Sequence, residues 1–120
     1  MARRLRFTIE GAAYYADLKE NALAESVVSM CPFTLDYVRS GEHEYYATLP
    51  EKAFAKGCQA TTEGQKNGLY YFEGWNALSL VFRDCNTAPY QIHQIGSFEE
   101  NVSAVLEKLG SNIQILCETE

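Results

Sequence analysis

Residues 68–85 read GLYYFEGWNALSLVFRDC, and no other run restricts the possible folds of this chain as strongly. Leu69 and Tyr71 alternate with Tyr70 and Phe72. After Glu73-Gly74-Trp75-Asn76, Leu78, Leu80 and Phe82 alternate with Ala77, Ser79, Val81 and Arg83. A period of two sends successive side chains to opposite faces of a strand. The run therefore predicts a β-hairpin whose second strand turns a wholly apolar face to a core. Gly74 is the turn residue suited to positive φ. Burying Leu78, Leu80 and Phe82 is worth about 1.5–3 kcal/mol each. The hairpin accounts for all of the run except Trp75, the only tryptophan, which is left at its tip.

The same period recurs elsewhere. Leu5, Phe7 and Ile9 oppose Arg4, Arg6, Thr8 and Glu10; Gly11 permits a turn, and AAYYADL follows as the second arm of an opening hairpin. FTLDYV alternates Phe33, Leu35 and Tyr37 against Thr34, Asp36 and Val38. SGEHE is a polar turn, and YYATLP a short strand stopped by Pro50. YQIHQIG and the terminal NIQILCE read as further strands, with DCNTAPY a turn region. Residues 51–68 have no sustained period and contain Gly57, Gly64 and Gly68, which predicts a long loop with at most one short regular piece.

Two segments carry the helical period instead. In ENALAESVVSMCP, Leu23, Val27, Met30 and Cys31 form one stripe, with Asn21 as N-cap and Pro32 at the end. In SFEENVSAVLEKLG, Ser97 and Glu100 form the capping pattern S-x-x-E, Val102, Val105, Leu106 and Leu109 form the stripe, and Gly110 stops the helix. Loss of a Ser97 cap would cost about 1 kcal/mol. Seven or more short strands with two helices predict a mainly β fold. A closed antiparallel barrel with two covering α-helices leaves no strand edge exposed.

At 120 residues the chain fits a single domain, 1–120, able to bury a core without metal or disulfides. A net charge of −6 opposes nucleic acid and anionic membrane surfaces as partners. The arginine-rich start lacks the apolar run of a secretory signal, and no segment has the length of a membrane span, so the expectation is a cytoplasmic protein. Cys31, Cys58, Cys85 and Cys117 include no CxxC pair and read as free buried thiols; disulfides would require export.

The order of these pieces resembles that of the small bacterial and archaeal cyclophilin-like proteins. RLRFTIEG, AAYYADLKEN with its helix, EYYATLP, GLYYFEGWNALSLVFRD, IHQIGSF before a helix, and IQILCE carry the resemblance over nearly the whole chain. It implies a cyclophilin-like closed antiparallel β-barrel. Prolyl-isomerase activity in true cyclophilins goes with an arginine-bearing strand and a Phe-Met-x-Gln-Gly-Gly segment. This chain has no such segment, and Arg3, Arg4, Arg6, Arg39 and Arg83 do not lie in that context. No catalytic residue carries over.

No GxSxG, P-loop or GxGxxG motif occurs, and nothing calls for a cofactor. His43, between two glutamates, reads as a turn residue or, with carboxylates, a metal ligand, but no ligand spacing joins it to His93. His93 reads as a hydrogen-bonded strand histidine or a pocket acid–base group. Adjacent aromatics are more telling. Of Tyr14-Tyr15, Tyr45-Tyr46 and Tyr70-Tyr71-Phe72, one member of each set must leave the core. This points to a groove for a small ligand or peptide near Tyr46, Tyr71, Trp75 and His93, without catalysis and without metal. Two rivals remain: an enzyme, either a residual isomerase or a hydrolase using His93 with Glu73 or Arg83, and a homo-oligomeric interaction module joined through Trp75; the expected state is a monomer or homodimer.

Overall fold

Apolar alternation becomes a ladder that returns to its own first strand. The computed structural model describes residues 3–53, 55, 57–109 and 112–120. In chain order the elements are β1 (Arg4–Ile9), β2 (Ala12–Leu18), α1 (Ala22–Val28), β3 (Phe33–Ser40), β4 (Glu44–Thr48), β5 (Glu63–Gly64), β6 (Gly68–Phe72), β7 (Ala77–Val81), β8 (Cys85–Asn86), β9 (His93–Phe98), α2 (Val102–Lys108) and β10 (Ile113–Thr119). Eight strands close into an antiparallel barrel in the order β1-β10-β3-β4-β7-β6-β9-β2, while β5 and β8 pair as a separate two-stranded sheet. Closure leaves those eight strands without a free edge.

The first hairpin turns through Glu10 and Gly11, both at positive φ (52° and 81°), which is the twist a two-residue hairpin requires. Leu5, Phe7 and Ile9 point inward and are fully buried, as the alternation predicts. They join Leu23, Ala24 and Val27 of α1, Val102 and Leu106 of α2, and Tyr37, Tyr45, Leu69, Tyr71, Leu78, Leu80, Ile95, Ile115 and Cys117 in one interior cluster. Asn21 caps α1 as its sequence predicts: its Oδ1 accepts from the Ala24 N–H at 2.8 Å.

The second helix departs from its prediction. Ser97 lies in β9, α2 begins only at Val102, and its cap residue Asn101 makes no side-chain capping bond. The S-x-x-E pattern is therefore not a capping box. The bond comes instead from far along the chain. Asn67 Oδ1 accepts from the Ser103 N–H at 2.9 Å and from the Ser103 hydroxyl at 2.7 Å. Asn67 sits at φ 66°, a left-handed conformation that asparagine tolerates. At the other end of α2, Arg39 Nη1 donates to the carbonyls of Leu109 (2.6 Å) and Leu106 (3.2 Å). A cation is favourable at the carbonyl end of a helix. Gly110, the expected stop, lies outside the described residues.

The turn between β6 and β7 also differs. Glu73–Trp75 make a single 3-10 turn, and the positive φ (48°) falls on Asn76 instead of Gly74. Gly74 has a different requirement: a Cβ there would lie 2.9 Å from the Phe72 ring. The long segment 51–68 contains β5 and a bridge between Thr61 and Ile92, and it sends Ala53 and Ala55 into the core.

The four cysteines are free. Cys31 and Cys117 face each other with sulfurs 3.9 Å apart. The hydrogen bond between them holds the Cys31 thiol below its ordinary range and, with burial, raises that of Cys117. No helix among the described residues is long and apolar enough to cross a membrane.

Candidate functional site

Every residue of β7 is buried, on both faces. Leu78 and Leu80 face the barrel interior, where they pair with Ala47 and Tyr45 of β4 and Tyr71 and Leu69 of β6. Ala77, Ser79 and Val81 face outward, beside Thr48, Tyr46 and Glu44 on one side and Phe72, Tyr70 and Gly68 on the other. A second apolar cluster forms on this outer face from Tyr70, Val81 and Ile92, with Phe72 and Cys85 packed against it. Tyr70 is almost completely covered, its hydroxyl accepts from the Gln65 N–H at 3.0 Å, and burial raises its phenol above the ordinary range. Tyr46, Tyr70 and Phe72, turned out of the core as their adjacency in sequence requires, thus line a second surface of the barrel, while Tyr15 lies under the Arg4 guanidinium elsewhere.

A cleft of about 460 Å³ opens on this outer face. Its floor is Ala77, Ser79, Val81 and Ile92, and one wall is Tyr46, Phe72 and Trp75. The rest of its lining includes Asn86 at the end of β8 and Thr87, Ala88 and Tyr90 in the segment that follows. That segment is set by the Thr87 N–H donating to the Thr62 carbonyl at 2.7 Å and the Thr87 hydroxyl donating to the Tyr90 carbonyl at 2.7 Å. The rings are in contact: Tyr46 with Trp75 (centroids 5.4 Å), Phe72 with Trp75 edge-on (5.3 Å) and Phe72 with Tyr90 edge-on (5.9 Å). Trp75 is nevertheless 61% exposed and Tyr90 63%. Among the described residues only Val38 is another large exposed hydrophobic, so the unpaid apolar surface is concentrated at this cleft.

One polar chain enters the cleft. The Ser79 hydroxyl donates to Glu44 Oε1 at 2.5 Å, and His43 Nε2 lies 2.9 Å from Glu44 Oε2. The order is Ser–Glu–His, with the carboxylate in the middle. The histidine therefore does not contact the serine hydroxyl, and the arrangement lacks the Ser–His pairing that activates a nucleophile. Ser79 itself is buried. Among the described residues no group of His, Cys, Asp or Glu could hold a metal ion.

The four residues singled out from sequence fall into two pairs divided by the barrel wall. Tyr46 and Trp75 meet in the cleft. Tyr71 and His93 are opposite one another on β6 and β9, face inward, and have ring centroids 6.5 Å apart. Tyr71 is fully buried and donates to Asn76 Oδ1 at 2.6 Å, while burial raises its phenol above the ordinary range. His93 is buried with Nδ1 3.1 Å from the Gln59 carbonyl. Arg83 is paired with Glu107. Phe72, Tyr90, Glu44 and Ser79 were not singled out as site residues. Phe72 is legible in the sequence as the outward neighbour of Tyr71, and His43, which the sequence offers as a turn residue or a metal ligand, borders the cleft.

Known proteins resemble this architecture throughout. A family model described as the cyclophilin-like family matches residues 7–118. The solution structure of the hypothetical protein AF2241 from Archaeoglobus fulgidus superposes with a TM-score of 0.70 at 15% identity, covering 99% of this chain and 95% of that one. At that identity the likeness is one of fold. No curated protein sequence matches the chain.

Proposed function

The chain belongs to the cyclophilin-like family, and from that premise we propose that it is a binding module, holding a small ligand or a peptide segment in the aromatic cleft without transforming it. The observation that carries this reading is the exposure of Trp75 and Tyr90 around an apolar floor. Half-exposed rings around a concave site are the usual material of recognition. A non-catalytic role is supported by the engagement of the polar groups: Arg39 binds the end of α2, Arg83 binds Glu107, and no arginine lines the cleft among the described residues. We place the protein in the cytoplasm, where four free thiols stay reduced. We also read α1 and α2 as covers of the barrel, since Leu23, Val27, Val102 and Leu106 join the interior cluster.

A thermal-shift screen of proline-containing peptides and common metabolites tests the reading, with Trp75→Ala as control. A ligand at 100 times its Kd adds about 2.7 kcal/mol and raises Tm by several degrees. A shift lost in Trp75→Ala supports the cleft. No shift with any compound, or an equal shift in the variant, overturns it. The same exposed rings support a second reading, a homodimer contact, which light scattering separates from the first by mass.

A further inference from the structure

Resting on that cleft reading, we infer that its occupant is an organic cation, an ammonium or guanidinium group seated against the rings with Glu44 as counter-ion. Three observations converge. First, among the described residues the cleft lining includes no lysine or arginine, and Glu44 is its one acidic side chain. Second, the rings of Tyr46, Phe72, Trp75 and Tyr90 border the same space. An aromatic face is negative, and a cation placed over it is attracted. Third, Glu44 and Tyr46 are two residues apart on β4 and share its outward face. Their Cβ atoms are thus about 7 Å apart at the rise of a strand, and a cation against Tyr46 lies within reach of the carboxylate.

The carboxylate has capacity to spare. It accepts one bond from Ser79 and meets His43, and a carboxylate offers about four lone-pair sites. Ser79 and His43 fix its position instead of neutralising it with a lysine or arginine. An anion would meet Glu44 with no lysine or arginine among the described lining residues to oppose it, and the chain's net charge of −6 adds long-range repulsion. A neutral apolar ligand would fill the floor but make no use of Glu44. Only a cation uses both the rings and the charge.

Trp75 is the only tryptophan, so its fluorescence reports this cleft alone. Choline and its uncharged isostere 3,3-dimethylbutan-1-ol are titrated against it. A second pair, N-acetyl-arginine amide and N-acetyl-citrulline amide, represents a peptide side chain. The expected result is that at least one cation binds about tenfold more tightly than its neutral partner, and that Glu44→Gln removes that advantage. Tenfold corresponds to 1.4 kcal/mol. Preference for choline identifies a free ammonium metabolite, and preference for the arginine amide a peptide. Equal binding of charged and neutral partners overturns the cation inference and leaves the cleft reading standing. No response to any of the four overturns the inference as well, and the thermal-shift screen then decides the cleft by itself. If Glu44→Gln fails to fold, the comparison of charged with neutral partners in the unaltered protein is sufficient.

Discussion

The Tyr71 hydroxyl, inside the barrel, donates to Asn76 Oδ1 at 2.6 Å, on the turn that carries Trp75 into the cleft. Asn76 also accepts from the Ala53 N–H at 3.1 Å through Oδ1 and donates from Nδ2 to the Glu51 carbonyl at 2.7 Å. A single side chain thus ties the barrel interior and the segment after β4 to the cleft wall.

Asn76→Ala removes all three bonds, leaves a buried phenol unpaired and puts alanine at φ 48°. The expected loss is about 3 kcal/mol, from the unsatisfied group and the left-handed backbone together. Tyr71→Phe removes one bond and costs about 1 kcal/mol. Both variants should also shift Trp75 emission, because its turn loses its anchor. Urea unfolding followed at tryptophan measures both effects; an unchanged midpoint in Asn76→Ala would contradict the anchoring role.

Asn67 and Ser97 should give opposite results to those expected from the S-x-x-E pattern. Asn67→Ala deprives the Ser103 N–H and hydroxyl of their acceptor and leaves alanine at φ 66°, for a loss of about 2–3 kcal/mol. Ser97 is exposed on β9. Ser97→Ala should stay within about 0.5 kcal/mol of the parent. Thermal melts of the two variants side by side settle which residue caps α2.

Tyr37→Phe should stabilise the protein. The Tyr37 hydroxyl is buried inside the barrel and has no hydrogen-bond partner among the described residues. Such a group carries its desolvation cost of roughly 1–3 kcal/mol without compensation. Removing the oxygen should add about 1 kcal/mol, the rest being offset by the small void it leaves. A lower Tm in this variant would show that the hydroxyl has a partner, such as a buried water.

Alkaline pH should weaken the fold through the same phenols. Burial raises Tyr37, Tyr70 and Tyr71 above their ordinary value of 10.0. Below pH 10 both states keep these protons and the contribution is constant. Above it the unfolded chain releases them while the folded barrel holds them, so stability falls as pH rises towards the folded values. Melting temperatures between pH 8 and about 11.5 should decline beyond 10, and less steeply in Tyr37→Phe. A flat profile would mean that the three phenols ionise freely in the barrel.

The barrel strands were legible because one apolar face repeats at period two, and interior clustering needs nothing more. What alternation does not encode is which face is inner when both are apolar. Leu69, Tyr70 and Tyr71 are all buried, and only the register with β7 sends Tyr71 inward and Tyr70 outward. This is why Tyr71 and His93, candidate groove residues by sequence, lie behind the wall from Tyr46 and Trp75. The part of the cleft lining that follows β8 was hidden for a different reason. Tyr90 is placed by the Thr61–Ile92 bridge and the Thr87 bonds, contacts between segments with no period of their own. The cap of α2 was missed likewise, because Asn67 is 36 residues from Ser103 and no local pattern reports so distant a donor–acceptor pair.

Because β7 is covered on both faces and bonded to β4 and β6 along its length, its amide hydrogens have no local route to solvent. They should exchange for deuterium only when the whole barrel opens. A ligand bound as proposed would rest on Ser79 and Val81 of that same strand, so its occupancy would be read in amides expected to exchange slowly. At 100 times its Kd it would slow them about a hundredfold, and binding at the surface would be measurable as an isotope-exchange lifetime in the barrel wall.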